Sequence, residues 1–178
     1  FTVLSAVARE LKGRVFLTFD ADGSWGPIVS NPPLLINVLG WMRTRPDLVR
    51  TLIDFYTRDA IRVGEAALDE GADGILMCVD YGYSDGPWMS PAQFRETVKP
   101  ALRRQCNAFR RKGGFALLHS DGNIQPLLKD IVDAGVEAYQ GIDYQAGMDL
   151  RRVKEEVGDR VCLIGNVSPA ALEGGSEM

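Results

Sequence analysis

Histidine is nearly absent from this chain: one imidazole, His119, in 178 residues. Whatever imidazole chemistry the chain carries is confined to one place. No apolar run approaches the roughly 20 residues that a membrane helix needs, so no membrane association is expected. Basic residues do not cluster. Twenty Lys and Arg are interspersed with 24 Asp and Glu for a net charge of −4, which argues against a nucleic-acid partner. Cys78, Cys106 and Cys162 are odd in number and far apart, which excludes a disulfide framework. Buried free thiols in a reducing, cytoplasmic setting are the expectation. No signal peptide, basic transit segment, internal linker or low-complexity tract is visible.

What is present is an alternation of short apolar runs with helical patterns. "RVFLTF" (14–19), "GILMCV" (74–79), "FALLH" (115–119), "VEAYQGI" (136–142) and "VCLIG" (161–165) lack clean period-two alternation. That is the pattern of strands covered on both faces in a parallel sheet. Between them, residues 46–70 carry a broad apolar stripe that stops at Gly71. Ser90 and Pro91 open a second helix that runs to Gly113, and Pro100 is predicted to kink or split it. "IQPLLKDIVDAG" and "DLRRVKEEVG" are two more, each ending in glycine. Helices of this length serve as crossovers, so parallel βαβ units follow.

The pattern gives about five such units, whereas a closed (β/α)8 barrel needs eight in about 250 residues. An open doubly wound sheet could close at five or six strands, but no G-x-G-x-x-G turn follows any strand. The fold predicted is α/β, a partial (β/α)8 TIM barrel. The chain opens on Phe1 inside an amphipathic pattern and closes on "ALEGGSEM" inside a new helical one. One barrel domain over 1–178, truncated at both ends, is therefore expected.

In such a barrel the chemistry sits at the carboxyl ends of the strands. Those positions hold Asp20 and Asp22, then Asp80, then His119 and Asp121, then Asp143, then Asn166. Asp121 and Asn166 each have an alternative reading as helix caps, at helices starting near Asn123 and Pro169. His119 and Asp121 are two apart, which on an extended strand end puts both side chains on one side. They could pair with each other, bind substrate or share a metal ion, and two ligands alone do not make a metal site. Tyr81 and Trp88 follow the Asp80 strand end in a loop with glycines and prolines, where aromatics line a pocket or plug the barrel mouth. "DADGSWGPIVSNPP" (20–33), with Trp25, has the length of a functional loop. Arg43, Arg45 and Arg50 read as a solvated helix face.

Taken in order, "GSWGP", "ADGILMCVD", "MSPAQFRETVKPAL", "LLHSDGNIQPLLKDIVDAGVEAYQGID" and "GMDLRRVKEEVGDRVCLIGNVSPAALEGG" resemble the uroporphyrinogen decarboxylase superfamily from about residue 13 to residue 175. The resemblance implies a (β/α)8 barrel with a deep cleft at the strand carboxyl ends. It also implies that the family's N-terminal portion and final strands lie outside this chain. Two chemistries occur in the superfamily. The decarboxylases remove acetate side chains from a tetrapyrrole without metal or cofactor. "GNVSP" is similar to their "GNLDP", yet they usually carry a small hydroxyl residue near Tyr81 and no histidine at the position of His119. The corrinoid-linked methyltransferases hold zinc with a His-x-Cys pair and a distant cysteine, and the zinc lowers the pKa of an acceptor thiol. His119 falls on that histidine, while Asp121 stands where the cysteine is expected and makes the site harder.

The resemblance thus implies an enzyme, with three readings open. The first is a corrinoid-linked methyltransferase with Asp80, His119 and Asp121 as catalytic groups and His119 and Asp121 as metal ligands. In it, Trp25, Tyr81, Trp88, Asp143 and Asn166 bind a small-molecule substrate, and the corrinoid is carried by a partner protein. The second is a cofactor-free uroporphyrinogen decarboxylase, and the third a non-catalytic corrinoid- or partner-binding barrel.

Overall fold

The computed structural model describes residues 1–168 and 172–173. Five strands form one parallel sheet: β1 (Thr18–Asp20), β2 (Gly74–Cys78), β5 (Phe115–Ser120), β6 (Ala138–Gly141) and β7 (Cys162–Gly165). β3 (Gly82–Tyr83) and β4 (Gly86–Pro87) make a separate small antiparallel hairpin in the loop after β2. Along the main sheet the order is β1-β2-β5-β6-β7, so each strand lies beside its successor in the chain. A doubly wound sheet reverses its order at a switch point. This one does not, and the arrangement is that of consecutive units of a (β/α)8 barrel.

The sheet separates its residues by period two. Ile75, Met77, Ala116, Leu118 and Tyr139 point to the helical layer and are buried. The opposite, inner face carries Phe115, Leu117 and His119 on β5, Ala138 and Gln140 on β6, and Cys162 and Ile164 on β7. That face is partly open: Phe16 is 54%, Phe115 50% and Ile164 41% exposed, while Leu117 and Ala138 are covered.

Helices α1 (Thr2–Leu11), α2 (Gly26–Val29), α3 (Pro32–Thr44) and α4 (Pro46–Asp69) occupy the first part of the chain. α3 was not anticipated from the sequence pattern. Asn31 caps it by accepting the Leu34 N–H at 3.2 Å, and it buries Leu35, Val38 and Met42. Arg43, Arg45 and Arg50 are exposed, as expected. Ser90 and Gln93 form a reciprocal capping box at the start of α5 (Pro91–Gln93). The split predicted at Pro100 occurs as a π-helical turn, Phe94–Val98, before α6 (Lys99–Arg111). Pro100 has no N–H to continue the regular ladder, and the wider turn absorbs that loss. α7 (Leu128–Ala134) follows a 3-10 turn at Gln125–Leu127, and Asp149 caps α8 (Leu150–Val157).

Three expectations are corrected. The first strand begins at Thr18 and not at residue 14, because Leu17 is tied to Asp73 on both sides. Its N–H donates to the Asp73 carboxylate at 2.9 Å, and its carbonyl accepts the Asp73 N–H at 2.7 Å. The loop at 20–33 contains α2. The cysteines are free, but only Cys106 is buried: Cys78 is half-buried and Cys162, on the open inner face of β7, is exposed. Among the described residues no helix is long and apolar enough to cross a membrane.

Candidate functional site at the strand carboxyl ends

β2 and β5 exit side by side and are locked together beyond their last ladder pair. The Val79 N–H donates to the His119 carbonyl at 3.1 Å, and the Tyr81 N–H donates to Ser120 Oγ at 2.9 Å. Between these two ties the chain turns at Asp80 with φ +30°, a left-handed conformation unusual for a residue with a Cβ. The Trp88 indole N–H holds the turn by donating to the Asp80 carbonyl at 3.0 Å. Asp80 Oδ1 accepts the Asp121 N–H at 2.9 Å, which draws the loop after β5 over the end of β2. Ile142 (φ +54°) and Asn166 (φ +63°) are the other non-glycine residues with positive φ among the described residues. All three sit at strand exits, so backbone strain is concentrated on the rim.

His119 lies on the inner face with its ring between two strands. Nδ1 contacts Gln140 Oε1 of β6, the residue paired with it in the sheet register. Nε2 faces the carboxylates, 3.4 Å from Asp80 Oδ1 and 3.7 Å from Asp121 Oδ2. Burial holds the Asp121 carboxyl above the usual carboxylate range. His119 opposes that shift, while Asp80 and Asp143 add to it. One ligand atom each from Asp80, His119 and Asp121 lie within 4.8 Å of one another. Tetrahedral ligands about 2.1 Å from a zinc ion stand about 3.4 Å apart, so the imidazole–carboxylate distances fit such an ion with little movement. Three protein donors would leave a fourth position open, the pattern of catalytic rather than structural zinc. The donor set is one nitrogen and two carboxylates, which suits zinc and harder divalent ions.

Beside the trio, a cleft of about 360 Å³ is lined by Asp121, Gln140, Asp143, Tyr144, Asn166 and Val167, among others. Asp143 and Asn166 are on this wall, where the Asp143 carboxylate and the Asn166 amide nitrogen are engaged with backbone groups. The Asp143 carboxylate accepts the N–H groups of Gly122, Gln145 and Ala146. The Asn166 amide donates to the carbonyls of Ile142 at 2.9 Å and Met148 at 3.2 Å. Asn166 thereby braces the loop before α8. The helix it was read as capping starts near Pro169, which lies outside the described residues. Asp121 does not cap the next helix; Asn123 Oδ1 takes the Gln125 N–H there.

Of the aromatics, Trp88 is half-buried and packs on Tyr83 with ring centroids 4.9 Å apart. Trp25 and Tyr81 are fully buried, with Tyr81 packed edge-on against Phe94 at 5.1 Å. They are core residues and not pocket lining. The Trp25 N–H, the Tyr81 hydroxyl and Gln105 Oε1 are buried without a hydrogen-bond partner among the described residues. Asp20 and Asp22 line a separate cavity of about 280 Å³ with Tyr56 and Asp59 at the end of β1.

Sequence reading passed over two residues here. Gln140 was counted within an apolar run, although its two-residue spacing from Ala138 marks it as inward-facing. Cys78, the register partner of His119, was read as a structural thiol. Burial pushes that thiol up to about 12, helped by a hydrogen bond to Asp20 and by the charges of Asp20, Asp80 and Asp22.

A partial (β/α)8 barrel with a polar, strained rim and an imidazole facing two carboxylates is an enzyme-like class of site. Residues 6–178 match the uroporphyrinogen decarboxylase (URO-D) family, and the chain belongs to that family. It is 28% identical over 148 residues to a methylcobamide:CoM methyltransferase of Methanosarcina barkeri, a match covering 82% of this chain and 42% of the relative. It is 26% identical over 188 residues to a uroporphyrinogen decarboxylase of Bordetella petrii, covering 99% of this chain and 50% of that protein. Among solved structures, a methyltransferase from Methanosarcina mazei superposes with a TM-score of 0.77 at 26% identity. That alignment covers 95% of this chain and 48% of the other. The chain thus spans about half the length of these relatives. Family members include methyltransferases and decarboxylases, and at this identity the comparisons do not separate the two.

Proposed function

We propose that this chain carries the metal-binding half of a corrinoid-linked methyltransferase site, with Asp80, His119 and Asp121 as ligands of a zinc-class divalent cation. The observation that carries the reading is the convergence of the His119 Nε2 atom with two carboxylates at tetrahedral-edge distances. The likeness to the methylcobamide:CoM methyltransferase supports it. When bound, such a cation supplies Lewis acidity that lowers the pKa of a coordinated acceptor group.

The residues provide the rest. His119 gives the neutral nitrogen donor, and Asp80 gives an anionic donor held in place by its bond from the Asp121 N–H. Asp121 is the more exposed carboxylate. Its second oxygen, reached from the cleft, would be the nearest base for the acceptor's proton. The cleft beside Gln140 and Tyr144 admits the acceptor, and the methyl group arrives on a corrinoid carried by a partner protein. Two carboxylates in place of thiolates make the site harder than a His-x-Cys site, which favours an acceptor that needs less electron donation from the ligands.

Cofactor-free decarboxylation is the second reading, favoured by the decarboxylase relative that aligns over 99% of the chain. There, the Asp80 and Asp121 carboxylates would face pyrrole N–H groups and stabilise the developing cation. The test supplies the purified protein with methylcobalamin and a thiol, an amine or an alcohol, and follows the cobalt spectrum. Zinc-dependent demethylation that disappears in His119→Ala is the expected result. Turnover of uroporphyrinogen, unchanged by a chelator and without methyl transfer, would overturn the proposal.

A further inference from the structure

We infer that Gln140 is the positioning residue that selects the imidazole tautomer of His119, keeping the proton on Nδ1 so that Nε2 presents its lone pair between Asp80 and Asp121. The inference rests on the metal-site reading above and adds to it a residue outside the ligand set.

The geometry begins with the sheet. His119 and Gln140 are Cα partners in the β5–β6 register, and both face inward. Strands hold such a pair more firmly than loops do. The two strands are also pressed together just beyond it. A Cβ on Gly141 would come within 2.5 Å of the Ser120 carbonyl oxygen, and Gly141 adopts φ +121°. At the contact itself, Gln140 Oε1 meets His119 Nδ1. An amide oxygen only accepts, so Nδ1 is the donor.

The consequence lies at the other ring nitrogen. In the neutral ring with Nδ1 protonated, Nε2 is a bare lone pair, and its two neighbours are carboxylate oxygens that also only accept. Three acceptors facing one another leave a space that calls for a positive centre or a hydrogen donor, and a divalent cation meets all three at once. Gln140 therefore orients the ring for a cation rather than for a hydrogen bond to its carboxylate neighbours. A second ring nitrogen bonded in this way is how ligating histidines are commonly fixed. A neutral amide performs the task without adding a third negative charge, so two carboxylates and one imidazole balance a divalent ion. Gln140 also lines the cleft beside the trio, so it joins the ligand set to the space where an acceptor would sit.

The experiment uses the fact that this chain has a single histidine. Ring-nitrogen NMR of the 15N-labelled protein, at a fixed pH where the imidazole is neutral, reads the tautomer of His119 directly. Zinc titration of the same samples reads affinity. Wild type is expected to show the Nδ1–H form. Gln140→Leu is expected to shift the ring toward the Nε2–H form or a mixture, and to weaken zinc binding by roughly 10- to 100-fold. Gln140→Glu restores an acceptor at Nδ1 and is expected to restore the Nδ1–H form, which separates positioning from a general packing defect. An unchanged Nδ1–H signal in Gln140→Leu would overturn the inference. If the tautomer changes as expected but wild type takes up no zinc, the metal reading fails while the role of Gln140 stands.

Discussion

Substituting Asp80 by Asn, Ala and Gly is expected to separate its charge, its hydrogen bond and its backbone conformation. Asn keeps an oxygen to accept the Asp121 N–H and tolerates φ +30°, because its short polar side chain suits left-handed backbone. Its stability is expected to stay within about 0.5 kcal/mol of wild type. It removes one of the two anionic donors, however, and a lost charge-assisted contact of about 2 kcal/mol corresponds to roughly 30-fold weaker cation binding. Ala loses the hydrogen bond as well. Asp121 is exposed enough for water to take its place, so the loss is about 1 kcal/mol. A further ~0.5 kcal/mol comes from a Cβ without polar compensation at positive φ. Gly loses the bond but relaxes the backbone, so its stability should fall between those of Asn and Ala. Zinc titration and urea denaturation of the three variants check these orders. Wild-type zinc affinity in Asp80→Asn would refute the placement of Asp80 in the ligand set. Equal destabilisation of Asn and Ala would refute the role given to its hydrogen bond.

Gly122→Ala is expected to destabilise by at least about 2 kcal/mol in denaturant melts and to disturb cation binding. Gly122 adopts φ +76°, and a Cβ there would lie 2.5 Å from the Gly82 carbonyl carbon and 2.6 Å from the Tyr83 nitrogen. A near-neutral variant would contradict that packing. Burial pushes the Cys106 thiol up to about 12, with Arg110 opposing and Glu137 adding to the rise. A folded pKa above the unfolded value means that this stability is complete below the ordinary thiol range and is lost as pH climbs through it toward 12. The loss approaches ~1.4 kcal/mol per pH unit, and Cys106→Ala should flatten that limb of the stability–pH curve. Alkylation at neutral pH, followed by mass spectrometry of this chain, should label Cys162 first, with Cys78 and Cys106 slow. Rapid labelling of Cys78 would show that its thiol is not held protonated.

Much of the barrel was legible because parallel strands buried on one face and inward-facing on the other read as apolar runs with little alternation. The sequential strand order could not be read from those runs, although the missing glycine-rich turn pointed the same way. β1 was placed too early because an apolar run does not reveal that Leu17 is claimed by the Asp73 carboxylate. In the site, the shared side of His119 and Asp121 followed from period-two geometry alone. The approach of Asp80 did not, since it depends on a left-handed turn and on a bond from a loop one strand away. The aromatics illustrate the opposite failure. Trp25, Tyr81 and Trp88 all sit in loops at strand exits, and pattern gives no way to tell a lining residue from a plug. Packing against Phe94 decides it for Tyr81. Gln140 was hidden by its apolar neighbours, although the alternation that places His119 inward also places Gln140 inward.

On the proposed reading, the sole histidine is a metal ligand supported by two aspartates. Zinc content of the purified protein, measured by elemental analysis for wild type and His119→Ala, tests it most directly. About one zinc per chain in wild type, lost in the variant, is the predicted result. Protein free of zinc in both forms after reconstitution, or zinc retained by His119→Ala, would contradict it.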